Sequence, residues 1–179
     1  IMDTYSMGVG HVTPGVTTGK PIELGGSLGR NEATARGTLF CVRRAAKKIG
    51  LDLEGASVVV QGYGNAGSIA ARLLHEDGAK IIAVSDSKGG IYNPKGLDPV
   101  AVLRHKRESG SVIGFPGADV ITNQELLTLP CDILVPAALE KQLHAGNADK
   151  VQAKIIAEAA NGPTEPEADH IFFDRGIFV

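Results

Sequence analysis

The 179-residue chain contains no tryptophan, two cysteines and few aromatic residues (4%). Its core therefore has to be assembled from aliphatic side chains and alanine. Cys41 and Cys131 show no C-x-x-C spacing, which excludes a disulfide framework and leaves two reduced thiols, as expected of a cytoplasmic protein. No apolar run approaches the roughly 18 residues that span a bilayer. No signal-peptide pattern is present, and no membrane partner is expected. The five histidines lack metal-ligand spacing. His75-Glu76 opens a zincin-like pattern, but Ala79 stands where the second histidine belongs. With a formal net charge of −2 there is no basic field to attract nucleic acid.

What is present is ordinary globular composition, 43% hydrophobic and 21% charged, enough for one domain with a sizeable core. The chain starts at Ile1 and stops on the apolar run Ile177-Phe178-Val179, so a piece of a longer protein is expected. Ile1 to Thr18 is rich in Gly, Thr and Val, lacks a clear period and reads as a connection, followed by a turn at Thr17 to Pro21. A helical pattern builds from Ser27, with Ala33, Gly37, Phe40 and Cys41 on one face, and ends at Gly50. Its basic run Arg43, Arg44, Lys47, Lys48 reads as a solvated face or a subunit contact.

Ser57-Val58-Val59-Val60-Gln61 is β-branched without alternation, the pattern of a strand buried on both faces. Ala66, Ile69, Ala70, Leu73 and Leu74 then recur at helical spacing up to Gly78, and Lys80 to Ser85 reads as a second strand closed by Asp86. A polar turn is expected around Gly89-Gly90. Asp98 and Pro99 read as N-cap and first residue of a helix that fades near Gly110. Further strands are expected at Ala118–Ile121, Asp132–Pro136 and Lys154–Glu158, with one more at Ile177–Val179. Helices are expected at Asn123–Leu129, Glu140–Ala145 and from a Thr164 cap to about Ile171. Strands alternating with helices predict an α/β fold of the Rossmann type, a doubly wound, mostly parallel sheet with helices on both faces.

Gly62-Tyr63-Gly64-Asn65-Ala66-Gly67 fits G-x-G-x-x-G. It follows a predicted strand, opens a predicted helix and has an acid, Asp86, 19 residues beyond its last glycine. In such a unit the first glycine permits the tight turn, the second leaves room for a pyrophosphate, and the third lets helix and strand pack closely. The helix N-terminus offers free amides to phosphates, and Asp86 offers hydrogen-bond acceptors to the adenosine ribose. An acid there favours NAD, because it repels the 2′-phosphate of NADP. Lys88, two residues on, and Ser85 and Ser87 leave NADP open. Two other patterns are set aside. Gly25-Gly26-Ser27-Leu28-Gly29 matches the G-x-S-x-G nucleophile elbow in a chain with a better dinucleotide signature. Gly15 to Lys20 is one residue short of a phosphate loop, and Pro21 stands where a magnesium-binding hydroxyl belongs.

Over nearly its full length the sequence also resembles the glutamate dehydrogenase family, within the Glu/Leu/Phe/Val dehydrogenases. The resemblance is carried by Met2-Asp3-Thr4-Tyr5-Ser6, Thr18-Gly19-Lys20-Pro21, Gly25 to Arg30, Glu32-Ala33-Thr34, Gly62 to Gly67, Ser85-Asp86-Ser87, Pro136 to Glu140 and Glu158 to Thr164. It implies a two-domain oxidoreductase, with residues 1–26 connecting from an upstream substrate domain and residues 27–179 forming the NAD(P)-binding Rossmann domain. It assigns Arg30 and Thr34 to the nicotinamide end, Asn65 to a pyrophosphate contact, Ala137 and Ala138 to the nicotinamide ribose, and Asn161 to the nicotinamide amide. Gly62, Tyr63, Gly64, Ala66, Gly67, Asp86 and Ser87 complete the coenzyme set. Read without the resemblance, Thr34 is a helix threonine bonding its own backbone and Asn161 a turn residue. Lys141 departs from the family pattern, which has a neutral polar residue there.

The family reaction is reversible oxidative deamination of L-glutamate to 2-oxoglutarate and ammonia. The catalytic lysine and aspartate it implies lie outside this chain, so coenzyme binding without turnover is expected, with a homo-oligomer for the longer protein. The alternatives are a leucine, valine or phenylalanine dehydrogenase and a non-catalytic nucleotide-sensing module.

Overall fold

Three consecutive valines offer water no polar face, and β1 (Ser57–Gln61) accordingly runs through the middle of the sheet with Val58, Val59 and Val60 fully buried. In the computed structural model, which describes residues 1–179, six strands form one mixed sheet. The others are β2 (Lys80–Asp86), β3 (Gly89–Tyr92), β4 (Asp119–Ile121), β5 (Ile133–Pro136) and β6 (Ile155–Ile156), in the order β4-β3-β2-β1-β5-β6. The strands β2, β1, β5 and β6 are mutually parallel, and the antiparallel pair β3-β4 extends the sheet beyond β2.

Because side chains alternate across a strand, the sheet buries two separate apolar layers. Val58, Val60, Ile81 and Ile133 pack with Leu39 and Val42 of α2 (Ala33–Ile49), Leu73 and Leu74 of α3 (Asn65–Glu76) and Val102 of α4 (Pro99–Ser109). Val59, Ile82, Leu134 and Ile156 pack on the other face with Leu126 of α5 (Asn123–Leu127), Ala148 of α6 (Ala145–Ala148) and Phe172 of α7 (Pro166–Asp174). Each fully buried Leu, Ile or Phe contributes on the order of 2 kcal/mol. Both faces of the sheet therefore carry helices, as expected.

Local chemistry sets the helix ends. The Asp98 side chain accepts from the amides of Val100 and Ala101, Pro99 starts α4, and Gly110 ends it in the left-handed region. Gly50 closes α2 in the same way.

Seven expectations are corrected. Residues 2–9, read as an unpatterned connection, form a helix, α1 (Met2–Val9), which buries no side chain. The core face of α2 is Ala35, Thr38, Leu39, Val42, Ala45 and Ala46, whereas Ala33, Gly37, Phe40 and Cys41 point outward, with Phe40 56% exposed. Small residues let this helix lie close on the sheet, and a stripe chosen by its one large aromatic lands on the wrong side. The Gly89-Gly90 turn is strand, because Ser85 and Asp86 pair with both glycines across a tight hairpin. The helix placed at Glu140–Ala145 starts only at Ala145 and is capped by His144. The Lys154–Glu158 strand shrinks to Ile155–Ile156, and Ile177–Val179 supplies only a single bridge, Phe178 to Ile155. Thr164 caps nothing: α7 starts after Glu165, and the Thr164 hydroxyl bridges no donor or acceptor.

Candidate functional site

From β1 the chain goes outward to β2, β3 and β4, then returns to place β5 on the other side of β1. At such a reversal the connections after two neighbouring parallel strands leave in opposite directions, and a crevice opens at the strands' carboxyl ends. Here it is a cleft of about 560 Å³, bordered by the ends of β1, β2 and β5.

The glycine turn forms its floor. Gly62 has φ +89°, and a Cβ on it would lie 2.7 Å from the Ala137 carbonyl oxygen and 2.9 Å from Ala138 Cβ. A Cβ on Gly67 would fall 1.8 Å from the Gly62 carbonyl oxygen, so α3 crosses β1 at a distance only glycine allows. A Cβ on Gly64 would meet nothing within 4 Å. α3 begins at Asn65 without a side-chain cap, leaving its first-turn amides free to point outward. The first and third glycines are packing and turn residues; the second borders open space.

The structure brings Gly62, Gly64, Asp86, Ser87, Ala137 and Ala138 together on this cleft. Tyr63 reaches it by its backbone alone. Its ring is 1% exposed and belongs to the core, its hydroxyl donates to the Pro99 carbonyl at 2.9 Å, and burial pushes the phenol well above its ordinary value. Ala66 and Gly67 lie in the first turn of α3, behind the floor. Asn65 is exposed, but its Nδ2 donates to the Asn31 carbonyl at 2.9 Å. With the Arg72–Glu32 pair at 2.6 Å, that bond clips the turn at Arg30–Glu32 to α3. Arg30 and Thr34, both exposed, ride on this clipped segment outside the cleft lining, and the Thr34 carbonyl accepts from the Thr38 hydroxyl. Asn161 is also exposed and outside the lining, on a loop tied to the end of β5 where the Ala159 and Ala160 amides donate to the Pro136 carbonyl. Lys141 adopts φ 55°, left-handed for a non-glycine, with its amide donating to the Gly162 carbonyl.

Asp86 is the most engaged of these residues. Its Oδ1 accepts from the Lys88 amide at 2.9 Å and the Ser111 hydroxyl at 3.2 Å, and its Oδ2 from the Val112 amide at 2.8 Å. Lys106 Nζ lies 3.8 Å from Oδ2. Burial pushes the carboxyl up, but these hydrogen bonds and the Lys106 charge outweigh it and hold Asp86 below the ordinary carboxylate value. Of about four acceptor positions on a carboxylate, one on Oδ2 remains. Lys88 is exposed and lines an adjoining groove with Ile113 and Val120 instead of the cleft.

Sequence reading missed Lys106, Gln61, Asn123 and Gln142, all on the cleft. Asn123 Nδ2 donates to the Asp86 carbonyl at 3.0 Å. Gln61 is 2% exposed; its Nε2 donates to Gln142 Oε1 at 2.8 Å, and Gln142 donates onward to the Glu140 carbonyl. That polarity leaves Gln61 Oε1 a buried acceptor with no donor in the protein. A glutamine directly after three buried valines was the available signal. The other three had none, because their neighbours come from distant segments. No group of three or more His, Cys, Asp or Glu is placed to hold a metal ion, and no helix is long and apolar enough to cross a membrane.

Residues 25–179 match the family model described as Glutamate/Leucine/Phenylalanine/Valine dehydrogenase. The chain belongs to this family. It is 56% identical over 99% of its length to a glutamate dehydrogenase of Thermotoga maritima, and 51% identical over its whole length to a cryptic catabolic NAD-specific glutamate dehydrogenase of Bacillus subtilis. It spans 43% and 42% of those two proteins. Its fold superposes on the hetero-hexameric glutamate dehydrogenase of Thermus thermophilus with a TM-score of 0.87 at 43% identity, covering 98% of this chain and 41% of that one.

Proposed function

We propose that the chain is the coenzyme-binding part of an NAD-dependent glutamate dehydrogenase, built as a Rossmann-type domain. The observation that carries this reading is the cleft at the sheet reversal, floored by a glycine turn that runs into an uncapped helix. The open space at Gly64 and the donorless Gln61 Oε1 suit a bound nucleotide. When bound, the nicotinamide supplies a hydride acceptor for the substrate Cα.

In this reading the free amides at the start of α3 take the phosphates. The remaining acceptor position of Asp86 takes a ribose hydroxyl, with Ser87 beside it. Ala137 and Ala138 lie along the nicotinamide ribose. Arg30, Thr34 and Asn161 serve the nicotinamide end, and Asn65 reaches the pyrophosphate once its bond to Asn31 is exchanged. NAD is favoured over NADP by the acid at Asp86, by the position of Lys88 outside the cleft, and by the name of the Bacillus subtilis relative, which is NAD-specific. L-Glutamate and 2-oxoglutarate are the substrates of the longer protein, which assembles as a closed homo-oligomer. The chain itself binds coenzyme without turnover. Residues 1–26 lead in from the substrate domain, and residues 27–179 form the coenzyme domain.

Calorimetric titration with NAD and, separately, NADP tests this. NAD binding more tightly than NADP, and more weakly after Asp86→Ala, is the expected result. No heat from either coenzyme in a cooperatively folded chain would refute it, and glutamate-dependent reduction of NAD by the pure chain would refute the lack of turnover.

A further inference from the structure

Tyr63, in the middle of the glycine turn, is held by both ends of one helix. Its hydroxyl donates to the Pro99 carbonyl at the start of α4, and its carbonyl accepts from Lys106 Nζ, two turns further along α4, at 2.9 Å. The same ammonium stands 3.8 Å from Asp86 Oδ2. One helix thus ties the turn to itself twice and to the end of β2 once. Elsewhere the turn has few polar ties to the rest of the fold. Gly62 donates to the Ser85 hydroxyl at a long 3.4 Å, the Gly64 carbonyl accepts the Ser68 amide of α3, the Asn65 side chain bonds the Asn31 carbonyl, and α3 has no side-chain cap.

A glycine turn loses more conformational freedom on ordering than any other segment of its length. A ligand that must order it binds correspondingly more weakly. We infer that α4 is a brace for the coenzyme turn, and that Lys106 and Tyr63 are positioning residues which fix it before the dinucleotide arrives. The inference rests on the proposed coenzyme reading and adds two residues to it. Lys106 in this role acts through the Tyr63 carbonyl and touches no phosphate.

The test compares Lys106→Met, Tyr63→Phe and Arg107→Met. Arg107 is exposed on the same helix and removes the same charge. Amide hydrogen exchange is followed at Gly62–Gly67 in the free protein, and calorimetry gives affinities for NAD and NADP. The brace predicts that Lys106→Met speeds exchange in the turn and weakens both coenzymes by one common factor, roughly tenfold for a lost charge-assisted hydrogen bond. Tyr63→Phe, nearly isosteric and neutral, does the same to a smaller extent, and Arg107→Met does neither. Unchanged turn exchange in Lys106→Met, or a loss confined to NADP, overturns the brace, the latter by showing a direct phosphate contact. If the wild-type protein binds neither coenzyme, the functional reading fails on its own, and the exchange arm still decides whether α4 holds the turn. Should Lys106→Met fail to fold, Tyr63→Phe carries the same comparison.

Discussion

Two aspartates near opposite ends of the sheet are built from the same parts. Asp132, just before β5, accepts from the Ser57 amide at 2.8 Å, the Ser57 hydroxyl at 2.7 Å and Lys154 Nζ at 2.7 Å. Asp86, at the end of β2, likewise takes backbone amides, a serine hydroxyl and a nearby lysine. In both, burial pushes the carboxyl up and the donors bring it below its ordinary value. The difference is where the lysine goes. Lys154 closes directly on Asp132 and completes a clip between β1 and β5. Lys106 bonds the glycine turn and stands 3.8 Å off, leaving Asp86 an acceptor position at the rim of a cleft. The same residue kit makes a fastener at one end and a candidate ligand at the other, and topology alone separates them.

The largest effect that can break this comparison is at the glycines. Gly67→Ala should destabilise the fold by about 3 kcal/mol, because its methyl meets a backbone carbonyl that cannot move aside. Gly64→Ala should cost under about 1 kcal/mol, since its φ of −82° and surroundings accept a methyl, while weakening NAD at least tenfold by filling the approach to the turn. Urea unfolding with parallel calorimetry reads both. Equal stability losses at the two positions would mean that the turn is packing alone.

Next in size are the aspartates. Asp86→Asn should cost about 2–3 kcal/mol, because an amide nitrogen then faces the buried Val112 or Lys88 amide, and should weaken NAD as well. Asp132→Asn should cost about 1–2 kcal/mol and leave NAD affinity unchanged. A coenzyme defect in Asp132→Asn would erase the distinction between the two ends.

Acid sharpens it further. Both carboxyls are depressed in the fold, so their stabilisation is complete above the ordinary value of 3.8 and is lost as pH falls through the lower folded-state values. Stability should therefore decline below about pH 4, and each Asn variant should flatten that slope. A slope unchanged in both variants would contradict the assignment. The smallest effect is Lys154→Ala, which should cost under about 1 kcal/mol because its side chain is 61% exposed.

Much of the fold was legible because its elements carry unusually pure signals: three valines in β1, Ile-Leu-Val in β5, and an aspartate and proline that start α4. The glycine motif was legible for the same reason, since its first and third glycines answer local steric demands. What could not be read depends on distant segments. Gly89 and Gly90 form a strand only because β2 and β4 flank them. The outward face of α2 follows from how closely small residues dock on the sheet, and Phe40 hid it. Lys106 lies 43 residues from the carbonyl it holds, and nothing near it in sequence marks it.

Whether the glycine-turn cleft holds the coenzyme is decided by mapping NAD onto the chain by amide chemical shifts. Large shifts are expected at Gly62–Gly67, at Asp86–Ser87 and at Ala137–Ala138, with Ser57, Asp132 and Lys154 silent. Shifts confined to the Asp132 end, or none anywhere at saturating NAD in a folded sample, would contradict that assignment.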